Sequence, residues 1–88
     1  MGNENYVKSL GGYEVGSLYR MVSTFVVVGF ASNGGTTRIK NGDIVVLTKG
    51  PWTYNRLGNC RATVFTSDGH HVEIGWFPRD WERVMDKS

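Results

Sequence analysis

The sequence is poor in everything that would staple a chain or carry it through a bilayer. It holds one cysteine, Cys60, in 88 residues, so no internal disulfide framework can form. Its longest apolar run is Phe25-Val26-Val27-Val28, far short of the roughly 20 residues a membrane helix needs and too short for a signal-peptide core. No membrane contact and a cytoplasmic setting are therefore expected. Charge of one sign is also scarce. Ten Lys+Arg against eight Asp+Glu leave a formal charge of +2, too mild by itself to imply nucleic acid. No helical periodicity of ordinary length appears. What is present, 40% apolar and 20% charged residues, describes a folded globular chain with room for one domain and a small core.

Glycine divides the chain. Residues 1–16 contain Gly2, Gly11, Gly12 and Gly16 and form an arm that is expensive to order. Tyr6, Val7, Leu10 and Tyr13 are apolar enough to dock in part. The arm is read either as a frayed tail or as a cover for a sheet edge or a grip on a partner. Residues 17–86 form the domain, and 87–88 are a polar end.

Within the domain the pattern is of strands. Leu18 to Phe30 is dense in β-branched and aromatic residues, with apolar side chains on both parities. Such a run is buried on both faces or bent, and Ser23-Thr24 is the place for a bend. Asn33-Gly34-Gly35 and Asn41-Gly42-Asp43 are turns around a short strand over Thr36–Lys40. Ile44 to Thr48 reads as a buried strand ended by Gly50-Pro51, and 51–59 as a loop. Ala62, Val64 and Thr66 share one face of the next strand. Asp68-Gly69 turns it back into His71–Phe77, where Val72, Ile74 and Trp76 align. Pro78 to Trp81 suits a single helical turn before a last strand. Five or six short antiparallel strands with frequent turns predict an all-β domain, most economically a small barrel.

Gly75-Trp76-Phe77-Pro78-Arg79-Asp80-Trp81, followed by Val84, resembles the C-terminal signature of Src-homology-3 domains. Gly42-Asp43-Ile44-Val45-Val46-Leu47 resembles that family's strand entry after its first long loop, and the Asp68-Gly69 hairpin falls where a distal hairpin belongs. The resemblance implies a Src-homology-3-like barrel with a 3₁₀ turn near residues 78–81. It also implies an aromatic groove for proline-rich peptides, to which Pro78 and Trp81 correspond. Other groove parts are missing. The opening aromatic motif is not found in Tyr19-Arg20-Met21-Val22, and no tryptophan pair stands near Arg61–Thr63. The acidic first loop is replaced by Ser32-Asn33-Gly34-Gly35-Thr36-Thr37-Arg38, which reverses its charge. Proline-peptide binding is therefore not expected.

Trp52, Tyr54, Trp76 and Trp81, with Pro78 and with Arg56 and Arg79 at the rim, form the expected contact surface, since aromatic anchors and arginines dominate interface energetics. Phe77 belongs to the same aromatic set and should face away from Trp76. A protein partner is expected, with nucleic acid as the alternative and self-association open. Small size with no appended enzyme would suit a viral accessory protein acting on host machinery, a hypothesis from size alone. His70-His71 with Cys60 cannot close a tetrahedral zinc site, because adjacent strand residues point to opposite faces. No Asn or Asp is placed to orient a Cys-His pair, Asp80 reads as a turn former, and Glu82 reads as an arginine's salt-bridge partner. No enzyme activity, cofactor or metal is expected.

Overall fold

The computed structural model describes residues 8–9, 11–53 and 57–84. The strands are β1 (Lys8–Ser9), β2 (Leu18–Met21), β3 (Val27–Phe30), β4 (Thr36–Ile39), β5 (Ile44–Thr53), β6 (Cys60–Thr66), β7 (His71–Gly75) and β8 (Trp81–Arg83). A 3₁₀ turn over Pro78–Asp80 precedes β8. Seven of the strands follow one antiparallel path, β4-β3-β7-β6-β5-β2-β8, curled into a half-barrel, and β1 pairs off that path with the end of β5. The count is seven rather than five or six because the run from Leu18 to Phe30 supplies two strands, β2 and β3. The chain bends at residues 24–25 between them, next to the expected Ser23-Thr24, and Phe25 N–H donates to the Ser23 hydroxyl there.

Alternation places the core. On β6 and β7, Ala62 lies opposite Ile74 and Val64 opposite Val72, and all four are buried. On β5, Val45 lies opposite Tyr19 of β2 and Leu47 opposite Val64, extending the same interior. Each such side chain contributes roughly 1.5–3 kcal/mol by leaving water. Gly29 of β3 is buried because that strand passes directly over Val72 and Ile74, which leave no room for a Cβ.

β5 corrects the expected strand end. It does not stop at Gly50-Pro51 but runs on to Thr53 through two register shifts, between Leu47 and Lys49 and between Lys49 and Trp52. Such irregularities absorb a residue that cannot donate to the ladder. Gly50 has φ +87 and lies against the Trp52 ring, a combination only glycine fits without strain. Trp52 is consequently a strand residue, not a loop residue.

The β6–β7 hairpin is fastened by its own side chains. The Thr66 hydroxyl donates to Asp68 Oδ1 at 2.5 Å, and His70 Nδ1 stands 3.2 Å from the same oxygen. These bonds, the threonine's first, hold the Asp68 carboxyl below its ordinary value of 3.8. A depressed folded pKa stabilises the fold above the unfolded value, and that contribution fades as pH falls through the folded one. Thr66→Val should raise the Asp68 titration midpoint toward 3.8, whereas Thr66→Ser should leave it low, as read by NMR of the side-chain carboxyl. An unchanged midpoint in Thr66→Val would remove the hydroxyl as the cause.

Candidate functional site

The aromatic residues of the last third divide between interior and surface. Trp76 continues the inner parity of Val72 and Ile74 and is 0% exposed, and Trp81 lies opposite buried Met21 and is 8% exposed. Their rings stack at 4.7 Å and 2°, with Tyr19 edge-on to Trp76 at 5.6 Å. This corrects their placement on a contact surface. Strand alternation turns both inward, where they supply large apolar area to a small core. Phe77, on the opposite parity, is 48% exposed.

The remaining expected contact residues stand on separate elements. Pro78 and Arg79 are exposed in the 3₁₀ turn. Trp52 is half-buried far along β5, opposite Arg61, with Lys49 Nζ at 5.8 Å from its ring. Arg61 itself reaches Glu73 at 2.9 Å. Tyr54 and Arg56 lie outside the described residues.

A cleft of about 630 Å³ opens instead between the β2–β3 connection and the 3₁₀ turn, lined by Phe25, Val26, Phe77, Arg79 and Asp80 among others. Phe25 is 78% exposed, and Val26 is exposed beside it. Both walls are fixed from behind. Val22 N–H donates to the Asp80 carbonyl at 2.8 Å, Asp80 N–H to the Phe77 carbonyl at 2.8 Å, and Trp81 N–H to the Pro78 carbonyl. The Asn41 side-chain amide also donates to the Ser23 carbonyl at 3.2 Å. Two loops are thereby held on a rigid sheet, the usual construction of a recognition site. Arg79 makes no ion pair among the described residues. The cleft therefore carries an unpaired guanidinium beside its apolar wall.

Phe25 is an exposed aromatic at the cleft that is not among the expected contact residues. Its run was expected to be buried on both faces or bent; Val27 and Gly29 keep the inward parity of Tyr19 and Met21, and Phe25 is exposed because it lies in the bend itself. A serine two residues earlier, able to bond the Phe25 N–H, was the available signal.

The histidine and cysteine side chains do not meet. Cys60 is buried, its thiol donating to the Gly58 carbonyl at 3.3 Å, while His71 faces outward with Nε2 at 2.7 Å from the Thr48 hydroxyl. No cluster of three or more metal-ligating side chains occurs among the described residues. Glu82 pairs with Arg20 at 3.1 Å. No described helix is long and apolar enough to cross a membrane. No family model matches this sequence, and neither a curated protein nor a solved structure matches it.

Proposed function

We propose that this chain is a non-enzymatic interaction module that takes a protein partner in the cleft beside the 3₁₀ turn. The observation that carries the reading is Phe25, 78% exposed and facing a cleft it shares with half-exposed Phe77. Two large aromatic rings left in water around one concavity mark a surface that something covers. The occupant is an extended peptide segment with an apolar side chain between the rings and a carboxylate for Arg79. Trp76 and Trp81 support the turn from inside rather than touching the partner.

The same reading takes the half-barrel as Src-homology-3-like. In support, the elements run in that family's order from β2 onward, with the β3–β4 hairpin, a distal hairpin, a 3₁₀ turn and a last strand, β8, paired to β2. Arg79 has no ion-pair partner among the described residues, so the preferred peptide should be acidic.

Selection from a displayed library of short random peptides tests this. Enriched peptides should combine apolar and acidic residues. Phe25→Ser and Phe77→Ser should each cost about 2 kcal/mol, roughly thirtyfold in affinity, with stability changed by less than about 0.5 kcal/mol. Arg79→Glu should weaken acidic peptides and favour basic ones. Enrichment of basic or proline-only peptides, or indifference to Phe25→Ser, would overturn the reading. A second reading, nucleic-acid binding, is favoured by Lys49, Trp52 and Arg61 grouped at one end of β5 and β6. It would show as oligonucleotide affinity that falls steeply with salt and ignores Phe25→Ser.

A further inference from the structure

Residues 13–17 lie against the half-barrel much as a bound peptide would. The Tyr13 ring meets Trp76 edge-on, with centroids 5.3 Å apart and planes at 87°, and is tilted against Tyr19 at 5.9 Å. Glu14 N–H donates to the Tyr19 hydroxyl at 3.0 Å, and its carboxylate accepts from Arg83 at 2.8 Å. Gly16 N–H then donates to the Leu47 carbonyl at 2.7 Å, and Leu47 N–H to the Ser17 carbonyl at 3.0 Å. A ring in an aromatic pocket, a carboxylate on an arginine and a short run of backbone pairing are together the recognition of a linear motif.

This segment is held lightly. Gly11 and Gly12 precede it, Gly16 lies within it, and a Cβ at any of the three would meet nothing within 4 Å. Its ion pair with Arg83 is exposed, so another carboxylate can compete for that guanidinium. Trp76, which Tyr13 meets, and Trp81, stacked behind it, both keep a buried indole N–H that finds no acceptor among the described residues. Buried donors are seldom left so. The resident segment therefore fills the site without using all of it.

We propose that Tyr19, Trp76, Trp81 and Arg83 form a second binding site, for an aromatic–acidic peptide motif, which residues 13–17 occupy until a partner segment of the same chemistry displaces them. The partner is a protein segment with an aromatic residue followed by a carboxylate, and an acceptor near the ring for an indole N–H gives it the advantage over the resident. This site is separate from the cleft, since Trp76 and Phe77 face opposite ways. Neither reading depends on the other.

The test uses the full chain carrying Tyr13→Ala and Glu14→Ala, with a fluorescent synthetic peptide of the sequence of residues 11–18 as probe. The probe should bind the double variant saturably and shift the Trp76 indole N–H resonance. The wild-type chain should bind it at least about tenfold more weakly, because self-occupancy reduces the competent fraction. Adding Arg83→Gln to the double variant should weaken the probe again. A folded double variant without saturable binding, or binding indifferent to Arg83→Gln, would overturn the proposal. If the double variant does not fold, Arg83→Gln alone decides. It should speed hydrogen exchange at the Trp76 indole while the Val64 and Val72 amides stay protected, and unchanged indole exchange would overturn the proposal.

Discussion

Trp76→Ala should lower the free energy of unfolding by about 3–5 kcal/mol, the cost of emptying a large aromatic site in a close-packed core. Trp76 is 0% exposed, stacked on Trp81 and in edge contact with Tyr13 and Tyr19, so its loss takes a large buried ring from all three. Small domains have only roughly 5–15 kcal/mol in total, and most of it would go. Urea titration followed by far-ultraviolet circular dichroism would report the loss as a displaced midpoint with little change of slope. Phe77→Ala, one residue on, should shift the midpoint by less than about 0.5 kcal/mol, because its ring is in water. Trp76→Phe should cost clearly less than Trp76→Ala, since it keeps a ring and removes a buried donor that has no acceptor among the described residues. If Trp76→Ala and Phe77→Ala had equal effects, the assignment of interior and exterior in this segment would be wrong.

That contrast also explains why Trp76 and Trp81 do not belong to the cleft. A strand sorts its side chains by parity, and Val72, Ile74 and Trp76 were legible as one face because the pattern is local. Ala62, Val64 and Thr66 were legible for the same reason. The face of Trp81 is set by pairing with Met21 on β2. Their neighbours in that ladder, Arg20 and Glu82, lie 62 residues apart, and no window of sequence contains that pairing. The same holds for Gly50-Pro51, a local stop signal overridden because β5 is paired on either side of it, with β6 along its length and with β1 at its end.

The candidate site was less legible than the fold, for a related reason. It forms where the connection from β2 to β3 meets the connection from β7 to β8, and the Val22–Asp80 hydrogen bond joins them. Pro78 and Arg79 could be proposed from the resemblance to a 3₁₀ turn. Phe25 could not, since its exposure depends on how the chain leaves β2. Large rings on a loop are ambiguous in sequence because the same residues build cores and interfaces. Only the bend at residues 24–25 decides between them here.

Gly29 is held by a close approach to two buried side chains, and substituting it should have the second large effect. A Cβ built on Gly29 would lie 2.5 Å from Val72 Cγ2, 2.9 Å from Val72 Cβ and 3.1 Å from Ile74 Cγ2. Both neighbours are buried, so neither side chain can swing into solvent. Forcing carbon into a filled core costs about 1–3 kcal/mol, occasionally more. Gly29→Ala should fall in that range, and Gly29→Val beyond it, with the native signal lost at ambient temperature. The strain would be confined to the β3–β7 crossing, which has Phe30–Glu73 as its one paired position, so β3 and β4 should detach together before the rest of the sheet yields. Hydrogen exchange at Val28 and Ile39 should accelerate in Gly29→Ala while Val64 stays protected. A double-mutant cycle with Val72→Ala isolates the contact. Removing Val72 Cγ2 takes away the nearest clash, while the Cβ at 2.9 Å remains, so the rescue should be partial, with a coupling within the 0.5–3 kcal/mol typical of touching residues. Strict additivity of the two substitutions would mean that β3 does not ride on Val72. The hairpin that shapes one wall of the cleft would then be anchored by something other than this close approach.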